Sequence, residues 1–243
     1  ARFAIPLLAG HLGGANRLTE EIAGWLGAMP VITTATDTRG VFAVDTWAKQ
    51  QGLAIGNPSR IKSVSAALLA GKSVGLQSEF PVEGGLPPGL HLAEDGDIWI
   101  GIHPAQAHQL HLIPSVITLG IGCRKGGDFA KIEAIVAQAL ARRNIVPQAL
   151  REVCSIDVKA EEPGILQFCE ARGLPYHTYS AARLEQVDGD FDDSDFVRRT
   201  VGVGNVCERS ALVHGGRLIA GKYTQDGVTV ALVSHPYTVL FGA

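Results

Sequence analysis

Three glycine-rich stretches hold the residues of this chain whose types and spacing could do chemistry. They are Gly10–Asn16 around His11, Gly120–Gly127 around Arg124 and Lys125, and Gly202–Glu208 around Asn205. Each falls where an apolar run gives way to a helical pattern. In an open α/β sheet, ligands sit off the carboxyl ends of strands, where helix N-termini present unpaired N–H groups. Such ends attract anions, and glycine lets the backbone approach a ligand closely. Three in one chain, one with two cations beside it, suggest a ligand carrying several negative groups. The competing reading is three tight turns with no ligand.

Single residues sharpen the question. His11 lies in a loop rather than on an apolar strand, and an ordinary imidazole pKa of about 6.5 suits proton transfer near neutral pH. A structural hydrogen-bonding role fits it equally well. Asp37 closes the run Val31-Ile32-Thr33-Thr34-Ala35-Thr36-Asp37, where it could orient a ligand or cap the next helix. Asn205 with Glu208 three residues on also has two readings. It resembles a capping box, which needs no ligand, and it would equally hold a carboxylate beside a helix N-terminus as a general base. Spacing favours the cap. His103, His108 and His111 read as a polar rim rather than a metal set.

Several chemistries have no motif to carry them. Gly120-Ile121-Gly122-Cys123-Arg124-Lys125-Gly126 spaces its glycines one residue beyond the dinucleotide fingerprint, and no phosphate-binding P-loop is present. The Gly-x-Ser-x-Gly elbow of serine hydrolases is missing too. A net charge of −3 and 6% aromatic residues give no footprint for nucleic acid. The four cysteines form no C-x-x-C pair and read as reduced thiols. The longest apolar stretch, Leu112–Cys123, is broken by Pro114 and is too short for a bilayer. The reading is a soluble cytoplasmic protein without a membrane partner.

The elements that must position these residues alternate. Phe3–Leu8 and Val31–Thr34 read as strands around a helix whose apolar positions are Leu18, Ile22, Trp25 and Leu26. Helices are expected over 41–51 and 60–69, strands over 74–77 and 98–102, a surface loop over 81–96, and a linker over 108–115. A second series then expects strands at 116–122, 154–158, 175–179, 200–203, 218–222 and 229–234. Its helices are expected from Asp128 to about Asn144, from near Pro163 to Gly173, over Ala181–Gln186 behind Ser180, and from Val206 to about Val213; Ile132, Ile135, Val136 and Leu140 make the stripe of the first. The fold class is α/β, with open, mostly parallel sheets flanked by helices in two to three small domains. The expected divisions are 1–38, 39–113 and 114–243.

The motifs Pro6–Asn16, Pro30–Asp37, Gly120–Gly126, Ser155–Lys159 and Val201–Glu208 together resemble those of the cobalt-precorrin-5A hydrolases of anaerobic cobalamin biosynthesis. The resemblance runs over nearly the whole chain. It implies opening of the ring A lactone of a cobalt-bound tetrapyrrole, with release of acetaldehyde. Cobalt would arrive inside the substrate, so no cofactor of the protein's own is implied. His11 or Glu208 would activate water, with Asp37 orienting. Gly10, Gly13, Gly14, Asn16, Thr33, Thr34, Gly122, Cys123, Arg124, Lys125, Gly126, Gly202, Gly204 and Asn205 would hold the ring's carboxylates and the reaction's oxyanion. Neighbouring pathway enzymes are expected partners, and an oligomer is compatible with the sequence. A non-catalytic hand-off protein of the same pathway is the alternative. Family members usually carry further residues before the Gly-His-Leu-Gly-Gly motif, so an incomplete amino-terminal domain is expected.

Overall fold

The computed structural model describes residues 3–4, 15–30 and 41–242. It is an α/β protein that divides into two units. One comprises 1–101, 105–114 and 238–243, and the other 102–104 and 115–237.

In the first unit, β1 (Phe3–Ala4) and β2 (Met29–Pro30) pair in parallel around α1 (Ala15–Leu26). Helix α2 (Val44–Gln50) carries Asp45 in its first turn and Lys49 in its last, both favourable to the helix dipole. Strand β3 (Ala54–Ile55) and a 3-10 turn opened by Pro58 lead into α3 (Ile61–Leu69), which buries Val64 and Leu68, four residues apart on one face. The remaining strands are β4 (Val74–Ser78), β5 (Val82–Glu83), β6 (Leu90–Leu92), β7 (Ile98–Ile100) and β8 (Leu110–Ile113). They assemble in the order β3-β8-β7-β4-β6, with only β3 antiparallel, and β5 stands outside.

Two sequence expectations change here. The segment 81–96 contains β5 and β6 rather than forming a plain surface loop. The expected linker 108–115 contains β8, whose four residues are all buried. His111 hides that strand in the sequence, because a histidine amid apolar residues reads as a surface interruption. In the fold its Nε2 lies 3.0 Å from the Gly101 carbonyl, its N–H donates to Asn57 Oδ1, and only 6% of the residue is exposed.

Burial lowers the pKa of His111 below 6.5, outweighing the opposing pulls of the Gly101 carbonyl and Glu79. The unfolded chain therefore takes up a proton more readily than the folded one. The resulting stability is full above the unfolded value near 6.5 and is lost as pH falls toward the lower folded value. Thermal midpoints are expected to drop between pH 7.5 and pH 5.5, and His111→Gln is expected to flatten that dependence. Equal slopes in wild type and variant would remove His111 as the cause.

The second unit is built on β9 (Ile117–Cys123), β10 (Leu150–Ile156), β11 (Tyr176–Tyr179), β12 (Arg217–Gln225) and β13 (Val228–Ser234), in the order β11-β10-β9-β13-β12. The first three run parallel, while β13 is antiparallel to β9 and β12 to β13. Ile117, Leu119 and Ile121 alternate along β9 and are fully buried. Helices α4 (Phe129–Arg142) and α5 (Pro163–Arg172) pack together. They bury Ile132, Ile135, Val136, Leu140, Ile165 and Phe168.

The other face of β9 presents Thr118, Gly120 and Gly122. Across it lies α8 (Cys207–Leu212), which follows α6 (Ala181–Glu185) and α7 (Asp195–Val201). A Cβ built on Gly120 would stand 1.8 Å from the Cys207 carbonyl oxygen, so glycine is what lets α8 lie flat on the sheet.

The expected strand at 200–203 is the end of α7. Ser194 accepts from the Val197 N–H at its start, and Gly202 closes it at φ 81°, a left-handed cap. The apolar pair Val201 and Val203 suggests a strand only while that cap goes unseen. The carboxyl-terminal residues return to the first unit as β14 (Val239–Leu240), parallel to β5, and Phe241 stacks on Trp47 with ring centroids 4.5 Å apart.

Candidate functional site

Cys123 ends β9, Ile156 ends β10 and Tyr179 ends β11, so the loops that follow leave the sheet at one edge. The hairpin joining β12 and β13 turns at that edge as well, since Val228 pairs with Cys123. The Arg124 N–H donates to the Gly227 carbonyl at 3.1 Å, tying the loop after β9 to the hairpin. Val206 lies against Gly122, and Thr229 Oγ1 donates to the Gly122 carbonyl at 3.2 Å. The segments around Arg124 and Asn205 thus meet at the carboxyl end of β9, where an open α/β sheet binds ligands.

The polarised N–H groups at this edge already have partners. Asp128 caps α4 by accepting from the Lys131 N–H. The Gly127 N–H donates to Glu162 Oε1 at 2.7 Å, and Gly126 also donates to that carboxylate. Lys159 Nζ holds Glu162 Oε2 at 2.8 Å. Burial pushes the Glu162 carboxyl up, but Lys159 and the two glycine amides outweigh it and leave its pKa lowered. The protein's own carboxylate therefore fills the nest at the start of α4. Arg124 and Lys125 are exposed and form no ion pair among the described residues. They are the charges this loop offers to a ligand.

The Asn205–Glu208 segment is built as a cap. Asn205 Oδ1 accepts from the Glu208 N–H at 3.0 Å, and its amide nitrogen donates to Glu208 Oε2 and to the Asp192 carbonyl. Glu208 Oε1 accepts from the Lys222 N–H at 2.8 Å. Glu208 is 5% exposed and both its oxygens are spent on protein donors. It ties the start of α8 to the middle of β12. The acidic stretch before α7 lies over this segment. Ser194 N–H donates to the Gly204 carbonyl, Lys222 Nζ reaches Asp192 at 3.0 Å, and Arg209 packs over the Phe191 ring at 4.6 Å.

Gly10, His11, Gly13, Gly14, Thr33, Thr34 and Asp37 lie outside the described residues. Asn16 is the second residue of α1. Cys123 is partly exposed. Cys154, Cys169 and Cys207 are buried, and all four thiols are free. Burial raises their pKa to about 11 for Cys123 and Cys169 and about 12 for Cys154 and Cys207. All four stay protonated at neutral pH, and the thiolate is the reactive form. Iodoacetamide at pH 7.5 is therefore expected to label the native protein slowly, at Cys123 first. Fast stoichiometric labelling of a buried thiol before Cys123 would contradict this burial.

A second polar cluster escaped the sequence reading. Thr118, Glu152 and His235 come together at the opposite, amino-terminal edge of the parallel strands. No spacing announces them, because β9, β10 and the end of β13 become neighbours only once the strand order is known. Period-two alternation was the one available signal: Thr118 shares a strand face with Gly120 and Gly122.

Three family models match the chain: Cobalamin synthesis G N-terminal over 1–37, Cobalamin biosynthesis central region over 42–114, and Cobalamin synthesis G C-terminus over 117–233. A cobalt-precorrin-5A hydrolase from Salmonella typhimurium is 33% identical over 95% of this chain and 71% of its own length. One from Priestia megaterium is 27% identical over 96% of this chain and 69% of its own. Protein CobE from a Sinorhizobium species is 35% identical over 48% of this chain and 78% of its own. With all three models matched in order and that identity to the Salmonella protein, the chain belongs to the cobalamin synthesis G family, which includes these cobalt-precorrin-5A hydrolases.

Proposed function

We propose that this chain is a cobalt-precorrin-5A hydrolase of cobalamin biosynthesis, opening the ring A lactone and releasing acetaldehyde. The observation that carries it is the correspondence with named hydrolases over nearly the whole chain. In this reading the docking edge lies on the second unit, where Arg124 and Lys125 are exposed beside Gly122, Cys123 and Gly126. Gly202 is exposed on the segment before α8, while Gly204 and Asn205 are buried there and support the edge rather than touch the ring. Arginine and lysine there pair with the peripheral carboxylates of a flat, acid-fringed ring. The cobalt enters as part of the substrate.

The reaction makes three demands. A base takes a proton from the water that attacks the lactone carbonyl. Donors hold the oxyanion, and the proton returns to the leaving oxygen. Deprotonation of the freed hydroxyl then lets the carbon–carbon bond break, with acetaldehyde departing and a proton replacing it on carbon. With both oxygens of Glu208 engaged, the base in this reading is His11, oriented by Asp37. Gly10, Gly13, Gly14, Asn16, Thr33 and Thr34 would contact the ring from the amino-terminal region. In this reading the chain works in the cytoplasm alongside neighbouring pathway enzymes; separately, no described helix is long and apolar enough to cross a membrane.

Protein CobE matches 48% of this chain, and the second reading is a carrier that shelters the tetrapyrrole without turning it over. Incubating the full chain with cobalt-precorrin-5A and assaying acetaldehyde separates the two. Stoichiometric or greater acetaldehyde, with a loss of about a hundredfold or more in His11→Ala, supports the hydrolase. Tight binding with no acetaldehyde over hours would replace it with the carrier.

A further inference from the structure

At the amino-terminal edge of the second unit's parallel strands, β9, β10 and the residue just after β13 contribute polar side chains to one cluster. Glu152 is 6% and Thr118 1% exposed. The Thr118 hydroxyl donates to Glu152 Oε1 at 2.7 Å, and His235 Nε2 lies 2.8 Å from the same hydroxyl oxygen. A hydroxyl has one proton, and this one is spent on the carboxylate, so the imidazole must be the donor at Nε2. Neutral His235 then carries its lone pair on Nδ1, which has no hydrogen-bond partner among the described residues.

We propose that Glu152, Thr118 and His235 form a tautomer-locked relay, a second site in which His235 Nδ1 accepts a hydrogen bond from the hydroxyl of a small hydroxy-carboxylate ligand held by Arg151. The site goes beyond the hydrolase reading and does not depend on it. Arg151 Nε lies 3.5 Å from Glu152 Oε1, and the arginine side chain is 46% exposed. An exposed guanidinium can take a ligand carboxylate in the fork geometry it favours. A ligand hydroxyl beside that carboxylate would meet Nδ1. The hydroxyl keeps its proton and donates it as a hydrogen bond to the Nδ1 lone pair, while Glu152, through Thr118, holds the Nε2–H that leaves Nδ1 free to accept.

His177 Nε2 stands 3.6 Å from Glu152 Oε2, and His214 Nε2 bonds the Tyr179 hydroxyl at 2.8 Å. These histidines do not form a metal-ligand group among the described residues. Burial, then Arg151 and His214, lower the His235 pKa against the pull of Glu152, which keeps the ring neutral near pH 7. A neutral, tautomer-locked imidazole is the form that accepts a hydrogen bond at Nδ1. Thr118 and Glu152 are positioning residues.

The test is long-range proton–nitrogen NMR of the histidine-labelled full chain at pH 7.5, titrated with sodium glycolate and, as the uncharged control, glycolamide. The proposal expects His235 as the Nε2–H tautomer, and shifts at His235 with glycolate at concentrations at least about tenfold below those needed with glycolamide. Arg151→Gln should weaken glycolate by about tenfold or more while leaving the tautomer unchanged. Thr118→Val should give a tautomer mixture, and Thr118→Ser should restore the wild-type form, which separates loss of the hydroxyl from loss of folding. An Nδ1–H tautomer, or glycolate shifts no larger than those of glycolamide or sodium chloride, overturns it. Absence of acetaldehyde in the hydrolase assay would leave these readings unaffected.

Discussion

Gly120→Ala is expected to lower the unfolding free energy by about 3 kcal/mol or more, the upper end of overpacking costs. The new methyl would stand 1.8 Å from the Cys207 carbonyl oxygen and 3.0 Å from the Ala211 methyl. The first of these is backbone, and no rotamer change can move it aside. Helix α8 must lift off β9, and lifting it pulls on the Asn205–Glu208–Lys222 connections that join α8 and the turn before it to β12. Gly122→Ala should cost less, because its methyl meets the end of a side chain, Thr229 Oγ1 at 2.6 Å. Gly85→Ala meets nothing within 4 Å and should stay within about 0.5 kcal/mol of wild type. Urea titrations of the three variants check the order. A Gly120→Ala protein as stable as Gly85→Ala would mean that α8 does not lie against β9 as described.

The double substitution Arg124→Ala, Lys125→Ala is expected to reduce kcat/KM for cobalt-precorrin-5A on the order of thirty- to a hundredfold, mainly through KM. Two charge-assisted contacts to substrate carboxylates are worth that much even after discounting for exposure. Neither side chain makes an ion pair among the described residues, so the melting temperature should be unchanged. That combination separates a docking role from a structural one. The dependence on ionic strength should also weaken in the variant. A variant with wild-type KM would remove this loop from the docking edge.

How much of this was legible in the sequence differs element by element. The apolar spacing of Ile132, Ile135, Val136 and Leu140 fixed both the existence and the buried face of α4, because a long amphipathic stripe outweighs local ambiguity. Ser180 as the cap of α6 was equally readable, and its hydroxyl accepts from the Arg183 N–H. The short strands were not. Residues Leu110–Ile113 lie between His108 and Pro114, and only the neighbouring strand β7 makes a buried His111 affordable by offering the Gly101 carbonyl just beyond its end. The end of α7 was misread because Val201 and Val203 mimic an apolar alternation that Gly202 interrupts.

The candidate site was legible in part for the same reasons. Glycine-rich junctions mark strand-to-helix turns, and their gathering at one edge follows from parallel pairing. What fills them does not follow. Glu162 reaches Gly127 across 35 residues, and no pattern in the sequence says that an internal carboxylate will take the amides a ligand was expected to use. The relay is further removed, since Thr118 meets Glu152 at a separation of 34 residues and His235 at 117. The second contact exists only because β13 inserts antiparallel beside β9, a choice that strand and helix periodicity leaves open.

The central claim is that the carboxyl edge of the second unit's parallel strands docks a carboxylate-fringed ring. It is tested most directly by lysine acetylation footprinting of the full chain with and without saturating cobalt-precorrin-5A, read by mass spectrometry. The account predicts that Lys125 is modified at least about tenfold more slowly when substrate is bound, as expected for a charge taken into an ion pair, while Lys62 and Lys72 on the first unit react as before. Unchanged acetylation of Lys125 under saturation would contradict it.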